Sequence, residues 1–153
     1  MNHQIESIRK TRESIINHIK ELSLEKLNII PHGFNNNILW NLGHLFAAQQ
    51  NICYMRGGLP PSLSESDFSA FMPGTKPDRF FESDEEDNVK ELLLTSVDGL
   101  QRDYQDKVFT KMTPYTTRYG IPVNNIDDAI AFMLFHEGLH SGVIMSIRRL
   151  VMK

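Results

Sequence analysis

The chain has 153 residues, 41% of them apolar and 23% charged, with a formal net charge of -3. That length supports one packed core and is short for two, and the mild acidity gives no reason to expect a nucleic-acid partner. The longest apolar runs are only a few residues and the opening from Met1 to Lys10 is polar, so neither a membrane span nor a signal peptide is expected, and the cytoplasm is the expected compartment. A lone cysteine, Cys53, leaves no internal disulfide and fits a reducing compartment. It reads as a small buried hydrophobe.

From Gln4 to Leu22 the apolar residues Ile5, Ile8, Ile15, Ile19 and Leu22 keep the 3.5-residue rhythm of a bundle helix. Arg12 interrupts that seam, and is read as a stem lying over the core with its head in water. His18 flanks the seam and reads as a hydrogen-bonded core residue. Pro31 and Gly33 then break the chain, leaving His32 on the surface. One of Asn35, Asn36 and Asn37 caps a second helix that runs to about Arg56 and stops at Gly57 and Gly58. On that helix His44 shares a face with Asn37, Trp40, Asn41, Ala48 and Asn51, a lined pocket more than plain core.

The stretch from Gly57 to about Glu82 holds several prolines and little helical rhythm, with Phe68, Phe71, Phe80 and Phe81 as apolar anchors. Its length predicts either a cover for the pocket or a topological crossover. Ser83 to Glu86 reads as a capping box opening a third helix, whose seam is Val89, Leu92, Leu93, Ser96, Leu100 and Tyr104. Phe109 to Pro122 favours extended chain and a short strand or hairpin. Asn125, Asp127 and Asp128 start a fourth helix that ends in Arg148, Arg149 and Lys153. Four amphipathic helices joined by long second and third connections predict an all-α four-helix bundle, a single domain over 1–153.

That last helix carries His136 and His140, four residues apart and so about 40° apart around the axis, the spacing of two metal ligands. Ala129, Phe132, Met133, Val143 and Ile147 share their side, which turns the pair inward. With Glu137 the segment also matches the helical zinc-protease motif. Such enzymes generally take a third ligand from downstream, and the residues after His140 contain no His, Asp, Glu or Cys. The third ligand must come from upstream, where His44 is the histidine in mid-helix with polar company. The opposite stripe of Gly138, Ser141, Gly142 and Met145 predicts close approach by a neighbouring helix.

Trp40, Asn41, Leu42, Gly43 and His44 on one helix, with His136 to Gly142 on the last, resemble the DinB-like superfamily of metal-binding four-helix bundles. The resemblance covers the whole chain in helix order. It implies a three-histidine site at His44, His136 and His140, the same triad, and often a homodimer. Many relatives carry Gln where this chain has Val143, which removes a polar group from the helix. Three neutral imidazoles suit a divalent metal such as zinc or nickel and leave a coordination position open. The family includes thiol S-transferases, so the resemblance implies a metal-dependent transferase that joins bacillithiol or another low-molecular-weight thiol to a small electrophile. Trp40 and Asn41 are then candidates for substrate contact, and Glu137 for a catalytic or orienting role. The alternatives are a metal-dependent hydrolase with Glu137 as base, and a stress-associated metal-binding bundle without turnover.

Overall fold

The computed structural model describes residues 1–62 and 65–153, and side chains outside 63–67. Among the described residues the chain is all-α apart from one small hairpin. Four long helices form the bundle: α1 (Asn2–Ile19), α3 (Ile38–Gln49), α5 (Ser83–Gln105) and α6 (Ile126–Val151). Two short ones, α2 (Leu24–Asn28) and α4 (Glu65–Ala70), sit in the connections, and β1 (Tyr115–Thr116) pairs antiparallel with β2 (Pro122–Val123). α1 and α3 each pack against both α5 and α6. α1 with α3 and α5 with α6, each consecutive among the four, are therefore the diagonal pairs, joined through 20–37 and 106–125, whereas the longest connection, 57–82, joins α3 to its direct neighbour α5 and is not a topological crossover.

The expected seams form the core. On α1 the buried stripe is Ile5, Ile8, Arg12, Ile15 and Ile19, and on α5 it is Val89, Leu93, Val97 and Leu100. α3 is buried on every side, from its cap Asn37 to Gln49, so it is the central helix. Asn37 accepts from the Trp40 N–H and Asn125 from the Asp128 N–H, which places the starts of α3 and α6. α6 has the length and mean hydropathy, 1.3, of a membrane-crossing helix, but 44% of that window is buried within the bundle.

Several sequence expectations change here. α1 begins at Asn2 and ends at Ile19, and His18 is exposed on its outer face, its Nδ1 2.7 Å from the Ser14 carbonyl. The cap of α5 is Glu82, one residue before Ser83, with Glu85 closing the capping box because its carboxylate accepts from the Glu82 N–H at 2.9 Å. Gly138 and Gly142 meet no neighbour, since a Cβ added at either has nothing within 4 Å, so no helix approaches α6 closely at its glycines, although Met145 of the same stripe packs on the core. Of the aromatic anchors Phe71 and Phe81 are buried and Phe68 is partly buried, whereas Phe80 is 45% exposed.

The largest correction is Arg12. Its side chain is fully buried, not snorkelled, and all its N–H groups are used. Nε and Nη2 donate to Glu137 Oε1 of α6 at 2.9 and 2.5 Å. Nη1 donates to the Leu93 carbonyl and Ser96 Oγ of α5 at 2.9 and 3.0 Å, and Nη2 to the Leu45 carbonyl of α3 at 3.4 Å. The polar breaks in two seams, Arg12 and Ser96, thus meet. Removing one partner of a buried ion pair strands the other charge, at about 3–5 kcal/mol, whereas replacing both by apolar groups is often neutral. Arg12→Ala is expected to lower unfolding stability in urea by that amount, and Arg12→Met combined with Glu137→Met to recover most of it.

Candidate metal centre

α3 and α6 face each other where three histidines converge. His44, His136 and His140 are all buried, and one ring nitrogen of each lies within 4.8 Å of those of the other two. Ring centroids are 4.5 Å apart for His136 and His140, 4.7 Å for His44 and His140, and 5.1 Å for His44 and His136. Nitrogens bound to a tetrahedral ion at about 2.0–2.1 Å stand roughly 3.4 Å apart, so ring movements of about an ångström bring the triad to ligation distance.

The protonation states suit a metal. Burial, with mutual repulsion and nearby arginines, pushes the His136 imidazolium down to about 2 and that of His140 to about 3. Burial also lowers His44, against a hydrogen bond to Phe71. All three are neutral near pH 7, the ligand form. The tautomers of His44 and His140 are set by neighbours. His44 Nδ1–H donates to the Phe71 carbonyl at 2.7 Å, which leaves Nε2 with the lone pair. His140 Nδ1–H donates to Asn41 Oδ1 at 2.9 Å, and Asn41 Nδ2 donates to the Asn37 carbonyl at 2.7 Å, which fixes the amide. His140 Nε2 and His136 Nδ1 are buried with no protein partner. A buried imidazole nitrogen without a protein partner in a cluster of three histidines fits a bound cation.

Above the triad lies a cavity of about 680 Å³. Its lining comes from five places: Asn35 and Asn36 before α3, α3 with the segment after it, the 57–82 connection through Met72 to Lys76, the hairpin through Tyr115, Thr117, Arg118 and Tyr119, and α6. The connection is a strap over the site, with Leu63 and Ser64 of it outside the described residues. Its far end is pinned to α2, where the Asn28 amide donates to the Phe81 carbonyl and accepts from the Phe81 N–H. Trp40 supports it from below, stacking on His44 at 4.8 Å while its indole N–H donates to the Ala70 carbonyl and Thr75 Oγ1.

Glycine before His44 has a spatial reason. A Cβ at Gly43 would lie 2.5 Å from the Phe71 ring, the residue whose carbonyl orients His44. Beyond α3 the helix widens into a π segment, Gln50–Met55. In an unbroken α-helix Arg56 would project about 120° from His44. The wider turn subtends less angle per residue and carries Arg56 round to the cavity.

The structure therefore brings His44, His136, His140 and Trp40 to one cavity. Asn41 sits behind His140 rather than in the lining, and Glu137 is held by Arg12 away from the lining. Val143 packs on the core, also outside it. Cys53 is fully buried in the second core cluster, its thiol pushed up to about 12 by burial. The hairpin residues and Arg56 carried no sequence signal for this site beyond the aromatic and basic character of 115–119.

The sequence model of the DinB superfamily matches residues 7–144. The chain belongs to the DinB superfamily. A search of curated proteins finds no match. Membership and the buried histidine cluster together make this DinB-superfamily chain a candidate metal binder. Outer partners of metal-bound histidines contribute about 10–100-fold in affinity. Gly43→Ala, which displaces Phe71, and Asn41→Ala, which frees His140, are each expected to weaken zinc binding by that range in a chelator competition, with quenching or recovery of the sole tryptophan, Trp40, as an independent readout.

Proposed function

We propose that the protein is a metal-dependent thiol transferase. The observation that carries this reading is three buried neutral imidazoles, two of them oriented by neighbouring acceptors, at the floor of a cavity whose described lining contains no fourth His and no Asp, Glu or Cys. His44, His136 and His140 would hold a divalent ion such as zinc or nickel, with at least one position facing the cavity. When bound, such an ion lowers the pKa of a thiol or water at that position.

The residues present favour sulfur chemistry over hydrolysis. No described carboxylate lines the cavity, and Glu137, the sequence candidate for a base, is committed to Arg12, so a hydrolytic route would have only the ion to activate its water and no carboxylate to orient it. A thiol is acidic enough to lose its proton to solvent at the cavity mouth without a protein base. Its sulfur then attacks an electrophilic carbon: a C–S bond forms and the leaving group departs with the bonding pair. Trp40 and Phe132 provide apolar walls for that electrophile. A low-molecular-weight thiol such as bacillithiol supplies the nucleophile, since Cys53 is sealed in the core.

Protein loaded with zinc or nickel is expected to consume a test electrophile such as 1-chloro-2,4-dinitrobenzene only with added thiol, and His44→Ala to abolish both the reaction and metal retention. Equal rates without thiol would replace this reading by a hydrolase. Metal binding that raises the melting temperature with no turnover would leave a metal-binding bundle whose ion fastens α3 to α6.

A further inference from the structure

The cavity is lined by cations without anions. Arg56 enters from the end of the π segment, Lys76 from the strap and Arg118 from the hairpin, and no described Asp or Glu joins them. This stands out in a chain with 19 acidic residues against 16 Lys and Arg. Of the cations outside the cavity, Arg9, Lys10, Arg12, Arg79 and Lys90 are paired with acids, while others such as Lys20, Arg102 and Arg149 are not, so it is the convergence of three cations on one cavity without an acid that sets these apart. None of the three cavity cations forms an ion pair with a described residue. Arg56 lies over the Tyr115 ring at 3.7 Å, and Arg118 donates to the Tyr119 hydroxyl at 2.8 Å.

Two buried polar groups on the same wall, Arg56 Nε and the Tyr115 hydroxyl, find no protein partner. Both atoms are shut off from solvent, so what the wall presents to an incoming ligand is the positive charge of Arg56, Lys76 and Arg118, which is complementary to an anion. Arg118 lines the same cavity as all three imidazoles. A divalent ion there would add to this positive field, not offset it.

We propose that the cavity takes a small organic polyanion, with two or more carboxylate or phosphate groups held by Arg56, Lys76 and Arg118 while the rest of the molecule faces the three histidines. The anion site stands on these cations alone; only the identity of the polyanion, as thiol or as electrophile, rests on the thiol-transfer reading. Charge-assisted contacts of this kind are the strong ones, and Arg118 and Lys76 are exposed, so substituting them leaves the core intact.

The test is titration of metal-free and zinc-loaded protein with succinate, 2-mercaptosuccinate and 2-mercaptoethanol, followed by calorimetry and Trp40 fluorescence at low and high salt. Succinate is expected to bind the metal-free protein and to weaken with salt. Arg118→Gln with Lys76→Gln is expected to lose about tenfold in affinity with an unchanged circular dichroism spectrum, and Arg118→Lys to keep most of it. Mercaptosuccinate that gains over succinate only after zinc loading supports the polyanion and makes it the thiol. Mercaptosuccinate that matches succinate with and without zinc supports the polyanion and makes it the electrophile. If succinate fails to bind, or the Gln variants bind it unchanged, the polyanion site is wrong; thiol-dependent turnover with neutral 2-mercaptoethanol would then show that the transfer reading survives without it.

Discussion

The guanidinium of Arg12 touches every other long helix of the bundle. Its charge is fully buried, so its N–H groups must all be matched inside the protein, by Glu137 on α6, Leu93 and Ser96 on α5 and Leu45 on α3. Apolar seams tolerate small axial slides at modest cost; a buried charge does not, because each missing acceptor leaves a desolvated donor. The four helices are thereby held at one relative height, and through Glu137 the height of α6 sets where His136 and His140 meet His44.

Within α6 two adjacent residues thus serve different faces. His136 and His140 turn to the cavity, while Glu137, about 80° round from their midpoint, turns to Arg12. The same letters that spell a metalloprotease motif are used here as a ligand pair backed by an ion pair. What separates the two uses is the carboxylate's partner: bound to a buried guanidinium, it has no access to a water in the cavity.

The histidines are oriented by neutral acceptors, the Phe71 carbonyl and the Asn41 amide, in contrast to the charged pair behind α6. A neutral acceptor fixes the tautomer without drawing the proton away, and the cations of the cavity disfavour the imidazolium further. The strap and the site depend on each other, since Phe71 rests where Gly43 has no side chain and in that position aligns His44, while Trp40 joins the His44 ring to Ala70 and Thr75. The long connection is part of the centre it covers.

The sequence by itself determined where the four long helices lie, an asparagine start for α3 and α6 and the choice of His44 to accompany His136 and His140, because periodicity, capping and helical projection are local properties; that α3 is buried on every side was not legible there. It also held a trace of the central knot in the polar breaks at Arg12 and Ser96. Only the tertiary structure decided what those breaks meant: Arg12 and Glu137 are 125 positions apart, and an arginine on an apolar stripe looks the same whether its head reaches water or a buried carboxylate. The same holds for the hairpin and for Arg56, whose place at the cavity follows from how β1 and β2 lie across the bundle and from a π turn that helical projection at a fixed angle does not anticipate. Local chemistry specifies an element; which faces meet, and so which charges are paired and which are left to a ligand, is settled when the elements pack.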